Sequence, residues 1–455
     1  MADDTGAGLE SATAAELAAA VARRRVGALE LCNAAIARIE KLDGPINAVV
    51  VRDFDRARAQ AAACDAAAAR GDAKPLLGVP MTVKESYDVA GLRTTWGLPV
   101  FRDFIAQRDA VLVARLKAAG AVILGKTNVP PALGDWQSAN PIYGRTVNPL
   151  DPARTPGGSS GGGAAAVAAG MVPIELGSDI GGSIRVPAHF CGIFGHKPSY
   201  GVLPARGHAP NGLEGAPVDL AVCGPLARDA ADLELMMGVL AGPDIDEAAG
   251  WQLALPPPRD EDLRGRRVLL LAAHPCAATD REIRDALDAL GGRLAGVGAI
   301  VERASPLLPD LAADHRAYGT MLQAIMTRRV PGHHDVIDAH QWMDLLDARA
   351  ASRRCWRALF ESFDVVLAPP FGTSAFPHDP EPDMSKRQLW IDGAATPFGD
   401  QLAWPGVATF AGLPATVVPI ARGASGLPIG VQVIGPYLGD RTTLAVGRRI
   451  AALAA

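Results

Sequence analysis

No two of the six cysteines in this 455-residue chain stand close enough to make a CxxC unit; Cys32, Cys64, Cys191, Cys223, Cys276 and Cys355 are widely spaced. That spacing argues against a structural zinc site, dithiol redox chemistry and a disulfide framework. A long basic run is also missing, and the net charge is −5. Binding a phosphate backbone takes clustered lysine and arginine, so nucleic acid is not expected as a direct ligand. The short run Arg23-Arg24-Arg25 ends an amphipathic helix and reads as a solvated helix end. The opening Met1-Ala2-Asp3-Asp4-Thr5 is acidic and lacks an apolar core, so it does not read as a secretory leader. The most apolar stretch, Gly161–Leu176, is rich in glycine and alanine and makes a poor membrane span. A cytoplasmic enzyme with no membrane partner is expected. No internal repeat is evident.

With 49% hydrophobic and 20% charged residues, the chain has the balance of a folded globular protein. The first seventy residues read as helices. Thr13-Ala14-Ala15-Glu16 fits a capping box, and Leu29, Cys32, Ile36 and Ile39 recur at helical spacing. From Leu76 onward, short apolar runs alternate with helical segments. Buried strands are predicted at Gly78–Lys84, Ala121–Leu124, Val172–Leu176, Val268–Ala272, Asp364–Ala368, Ala415–Pro419 and Gly430–Ile434. Helices such as Val111–Ala119 and Asp280–Leu290 lie between them. The alternation predicts an α/β fold with a mixed, mostly parallel central sheet covered by helices on both faces. Leu255-Pro256-Pro257-Pro258-Arg259 is the best linker candidate. Residues 310–360 read as helices of uneven polarity, suited to a cap.

Glycine is frequent, at 49 residues, and two segments are dense in it. One is Thr155-Pro156-Gly157-Gly158-Ser159-Ser160-Gly161-Gly162-Gly163; the other is Gly177-Ser178-Asp179-Ile180-Gly181-Gly182-Ser183-Ile184-Arg185. Such turns bring backbone close to a ligand and point successive N–H groups at an oxyanion. Each also carries serine. Gly157-Gly158-Ser159-Ser160-Gly161 matches G-x-S-x-G, but a nucleophile elbow needs a strand before it. Asn148-Pro149-Leu150-Asp151-Pro152 precedes it instead. No Gly-Lys-Ser/Thr follows either cluster, so neither is a phosphate loop.

The paired clusters, 24 positions apart from Ser159 to Ser183, resemble the amidase signature family. Leu77-Gly78-Val79-Pro80-Met81-Thr82-Val83-Lys84-Glu85 looks like that family's lysine strand, and Gly125-Lys126-Thr127-Asn128, Tyr143-Gly144 and Asn148-Pro149 fit the approach to the serine loop. Phe194-Gly195-His196-Lys197-Pro198, Gly224-Pro225-Leu226-Ala227-Arg228, Gly412-Leu413-Pro414-Ala415 and Gly426-Leu427-Pro428-Ile429-Gly430-Val431-Gln432 extend the likeness; residues 310–400 match least.

The resemblance implies one domain over 1–455. It would comprise N-terminal helices (1–75), a catalytic core (76–235), a variable, partly helical cap (260–400) and a C-terminal return to the sheet (401–455). It also implies a triad in which Ser183 attacks a carbonyl and forms an acyl-enzyme. Ser159, with a cis peptide bond, relays the proton, and Lys84 is the base. The N–H groups of Ile180, Gly181, Gly182 and Ser183 would form the oxyanion hole. A free lysine is protonated near neutrality, so Lys84 must be buried to serve. Lys126 and Lys197 rival it on composition alone. Asp179 and Arg185 are read as orienting the loop, Ser160 and Ser178 as hydrogen-bond partners behind the triad, and His189 as a packed imidazole. Leu133, Trp136, Gln137 and Trp404 are candidate pocket walls by position.

The expected function is hydrolysis of a small or mid-sized acyl or aryl amide, with esters and carbamates as further substrates. It would need no metal or cofactor, use no nucleic acid, and run in a monomer or homodimer. Trp136, placed near the acyl site, favours an apolar substrate. Two other readings stay open: the glutaminase subunit of a tRNA-dependent amidotransferase, and a catalytically inactive binding protein.

Overall fold

The structure is a computed structural model that describes residues 12–454 apart from 214, 259–261 and 329–336. The opening Met1–Thr5 and Arg259 of the candidate linker lie outside the described residues. Thr13 caps the helix Ala14–Ala22: its hydroxyl accepts from the Glu16 N–H at 3.1 Å, and the Glu16 carboxylate accepts from the Thr13 N–H at 2.9 Å. The next helix, Ala28–Ile46, buries Cys32, Ile36 and Ile39 and leaves Leu29 half-buried.

Eleven strands make one sheet. They are β1 Val49–Arg52, β2 Pro80–Lys84, β3 Val122–Thr127, β4 Ile174–Asp179, β5 Phe194–Lys197, β6 Val222–Ala227, β7 Arg267–Leu270, β8 Ile300–Glu302, β9 Val365–Ala368, β10 Ala415–Arg422 and β11 Pro428–Ile434. Across the sheet they run β1-β3-β2-β4-β6-β5-β10-β11-β9-β7-β8. Each of the seven predicted strands is present, and β1, β5, β6 and β8 are additional. The long apolar stretch Gly161–Leu176 divides into a helix, Gly161–Ala168, and the start of β4. Among the described residues, no helix is long and apolar enough to cross a membrane.

The expectation of a mostly parallel sheet is corrected: six of the ten strand pairings are antiparallel. Near-continuous apolar runs report burial on both faces, and they do not report the direction of the neighbouring strand. β10 and β11, for example, are joined by a short turn, and a short turn can link only antiparallel strands. The period-2 alternation shows both faces covered at β10. Val417 points to the helix Arg185–Cys191, near His189, whereas Thr416 and Val418 pack under Gly447 of the helix Asp440–Ala454.

Candidate active site

The register of two parallel strands sets the centre of the site. Thr82 and Val83 of β2 stand opposite Glu175 and Leu176 of β4, so Lys84 falls beside Gly177-Ser178 as both strands end. The Lys84 ammonium nitrogen lies 2.9 Å from Ser178 Oγ and 2.7 Å from Ser159 Oγ. Ser159 comes from the other glycine-rich segment, just before Ser160 at the start of the helix Gly161–Ala168, and the Gly158–Ser159 peptide is cis. The two segments are tied together by Ser160. Its N–H donates to the Ser183 carbonyl at 3.1 Å, and its hydroxyl bridges the Ser178 backbone at 3.3 Å on both sides. Lys84 and Ser159 are fully enclosed, whereas Ser183 is the most open of the three at 5%.

Burial lowers the Lys84 pKa to about 7, although Asp179, Cys223 and Glu175 each oppose the shift. The two rival lysines are also buried but hold other partners. Lys126 Nζ donates to the Arg93 carbonyl and to Thr94 Oγ1. Lys197 Nζ donates to the Leu413 carbonyl at 2.7 Å and the Pro198 carbonyl at 3.1 Å. Composition does not separate the three; of them, Lys84 is the one whose Nζ meets serine hydroxyls. Sequence reasoning missed Glu175, which was hidden in an apolar run. It receives the Thr82 and Thr127 hydroxyls beneath Lys84, and burial raises its pKa to about 8.

Asp179 organises the loop that leads to Ser183. Its carboxylate accepts from the Gly182 and Ile184 N–H groups at 3.0 Å each, and from Arg185 Nε at 3.0 Å and Nη2 at 2.8 Å. Burial alone would raise its pKa, but the charge and hydrogen bonds of Arg185, the Lys197 charge and the Ile184 N–H together outweigh it and bring the value to about 2. Arg185 also donates to the Pro405 carbonyl, Gln432 Oε1 and Thr409 Oγ1. Gly182 has φ +93, and a Cβ there would stand 2.8 Å from Val186 Cγ2. Of the four N–H groups expected to face an oxyanion, that of Gly182 is thus engaged by Asp179. Both ions of the Asp179–Arg185 pair are fully buried. Arg185→Leu is expected to cost about 3–5 kcal/mol in urea unfolding, because it strands a buried carboxylate. A loss below about 1 kcal/mol would show that Asp179 does not depend on this partner.

The other predicted residues fall in two groups. Trp136 and Gln137 are buried on the segment that follows the half-buried Leu133. Trp136 Nε1 donates to the Gly181 carbonyl at 2.8 Å, and its ring packs against Phe371 and Phe398 at 4.9 Å. Gln137 exchanges two hydrogen bonds with the Asp379 backbone. Trp404 is fully buried against His274 and donates to Thr279 Oγ1. His189 is a packed imidazole: Nδ1 accepts from the Gly430 N–H at 2.7 Å, Nε2 lies 3.1 Å from the Thr373 carbonyl, and burial lowers its pKa to about 4.

The site thus brings a buried lysine onto a serine hydroxyl between two glycine-rich segments that are joined through the Ser160 N–H and the Ser183 carbonyl. The amidase family profile matches residues 30–324 and 314–444, and the chain belongs to that family of enzymes. Among its relatives are two chains named as the A subunit of glutamyl-tRNA(Gln) amidotransferase. That of Roseiflexus sp. (strain RS-1) is 34% identical, over 96% of this chain and 96% of the relative. That of Roseiflexus castenholzii is 35% identical, over 96% of this chain and 94% of the relative. A solved structure from a vestigial protein complex that bears on the origins of an s-triazine catabolic enzyme superposes with TM-score 0.82 at 31% identity, covering 96% of this chain and 97% of that one.

The amidotransferase relatives overturn the expectation of a hydrolase for small acyl or aryl amides, esters or carbamates. They equally overturn the expectation of a chain unconnected with nucleic acid. The triad motif could not have decided the matter, since it carries the chemistry of acyl transfer and not the identity of the acyl group. Trp136, the sequence feature behind the apolar reading, has its apolar surface covered by Phe371 and Phe398. It therefore gives no ground for an apolar substrate.

Proposed function

We propose that this chain is the glutaminase component of a tRNA-dependent amidotransferase, releasing ammonia from glutamine for use by a partner subunit. The observation that carries the proposal is the end-to-end likeness, over 96% of both chains, to the A subunit of a glutamyl-tRNA(Gln) amidotransferase. The net charge of −5 and the lack of a basic cluster fit a division of labour in which other subunits hold the tRNA. Aminoacyl-tRNA chemistry belongs in the cytoplasm, so that is where the chain is placed.

Ser183 attacks the side-chain amide carbon of glutamine while Ser159 takes its proton and passes one to Lys84 Nζ. The negative oxygen that forms is held by backbone N–H groups; with Gly182 engaged by Asp179, those of Ile180, Gly181 and Ser183 carry the role. The proton returns along Ser159 to the departing nitrogen, and ammonia leaves. Water then takes the same route to free glutamate from Ser183. Ser178 Oγ lies 2.9 Å from Lys84 Nζ and orients it, and the Arg185–Asp179 pair keeps the loop in shape.

The test is glutamine labelled with ¹⁵N in the amide, given to the purified chain alone and then with its partner subunits and glutamyl-tRNA. Labelled ammonia, and label in glutaminyl-tRNA in the second case, are expected. No glutamate in either case would reject the reading.

The pH dependence follows from Lys84, which must be neutral to accept a proton. With its pKa at about 7, kcat/KM is expected to rise about tenfold per pH unit below that value and to level off above it. An optimum near about pH 5 would remove Lys84 as the base.

A further inference from the structure

Tyr318 stands on the helix Leu311–Thr327. Its ring is buried in a cluster with Leu220, Met321 and Phe410. Its hydroxyl reaches out of that cluster and donates to the Ile180 carbonyl at 2.8 Å. One peptide further on, the Gly181 carbonyl accepts from Trp136 Nε1, also at 2.8 Å. Within a trans peptide, the carbonyl and the following N–H point in opposite directions. A donor that holds the Ile180 carbonyl on one side therefore aims the Gly181 N–H to the other. The donor on the Gly181 carbonyl likewise aims the Gly182 N–H, which ends on Asp179 Oδ1 at 3.0 Å. Two adjacent glycines offer little side-chain resistance to rotation of these peptides. Their orientation is thus set by the partners of their carbonyls.

We propose that Tyr318 is a positioning residue for the reaction at Ser183, holding the Ile180 carbonyl so that the Gly181 N–H faces the developing oxyanion. The helix Leu311–Thr327 is then part of the catalytic apparatus and not merely a cover. Turning this peptide over would replace an N–H donor by a carbonyl oxygen, which repels negative charge. The packing around Tyr318 leaves its ring little freedom. A Cβ on residue 406 would stand only 2.9 Å from Tyr318 Cδ1, so Gly406 is what admits the ring. Burial raises the phenol pKa well above its usual value, which keeps the hydroxyl a donor at working pH.

This inference rests on the oxyanion role proposed above, and its test does not require the amide substrate. An aryl fluorophosphonate reacts as the Ser183 Oγ–P bond forms, the P–F bond breaks with loss of fluoride, and the serine proton moves through Ser159 to Lys84. The phosphoryl oxygen gains charge where the same N–H groups point. Tyr318→Phe retains the ring and removes only the donor. Its maximal labelling rate is expected to fall about ten- to a hundredfold, because the N–H donor is turned away and not deleted. The reagent concentration that gives half that rate should stay within about twofold. Gly406→Ala, which displaces the ring, should lower the same maximal rate. An unchanged maximal rate in Tyr318→Phe, or a loss seen only in the half-saturating concentration, would overturn the proposal. Normal labelling of the unaltered chain without glutamine turnover would instead reject the glutaminase reading and leave the role of Tyr318 intact.

Discussion

Ser183→Ala is expected to reduce ammonia release from glutamine by about 10⁴-fold or more, to a level set by what binding and the remaining N–H groups achieve alone. An alanine has no oxygen to form the acyl-enzyme, and Ser159 cannot replace it without movement, being enclosed at 1% exposure and bonded to Lys84. The fold should be unaffected, since the Ser183 contact that ties the two loops is its backbone carbonyl. Peptide mapping after fluorophosphonate treatment should find the adduct on Ser183 in the unaltered chain and no adduct in the variant. An adduct on Ser159 would reverse the roles of the two serines, and retained turnover would remove Ser183 from the mechanism.

Lys84→Ala is expected to cost about 10²–10⁴-fold in kcat/KM, the range for loss of a positioned base. The loss should be unequal between substrates. Ammonia is expelled from an amide only once the nitrogen has gained a proton, which Lys84 supplies through Ser159. An ester loses its alkoxide with less need of one. Glutamine and the γ-methyl ester of glutamate share the γ-glutamyl group and make a matched pair. Amide cleavage should suffer about tenfold more than ester cleavage, or roughly 1.4 kcal/mol of additional barrier. Equal losses would mean that Lys84 does not deliver the leaving-group proton.

The proposed chemistry was legible through a resemblance, that of the two glycine-rich segments to the amidase signature family. With the lysine strand upstream, that resemblance implied Lys84, Ser159 and Ser183 before any geometry was known, and apolar runs marked seven of the eleven strands of the large sheet. The substrate was not legible, because Leu133, Trp136, Gln137 and Trp404 rest on position alone. The folded chain gives three of them backbone or hydroxyl partners: Trp136 the Gly181 carbonyl, Gln137 the Asp379 backbone and Trp404 Thr279 Oγ1. Tyr318 had no signal at all, since a single tyrosine on a helix of uneven polarity looks like any core aromatic.

By itself, then, the sequence determined the family, the α/β class, the capping of the first helix and the three residues proposed as the triad. These are local patterns, in which each residue type is demanded by its own backbone conformation or chemistry. Only the tertiary structure decided that strand directions are mostly antiparallel, that Lys84 and not Lys126 or Lys197 meets a serine hydroxyl, and that Tyr318 takes the Ile180 carbonyl. Strand direction depends on which neighbour a strand pairs with. The serine beside Lys84 and the tyrosine on the Ile180 carbonyl are brought from 75 and 138 residues away. Such pairings are set by the packing of the whole chain, and no local pattern records them.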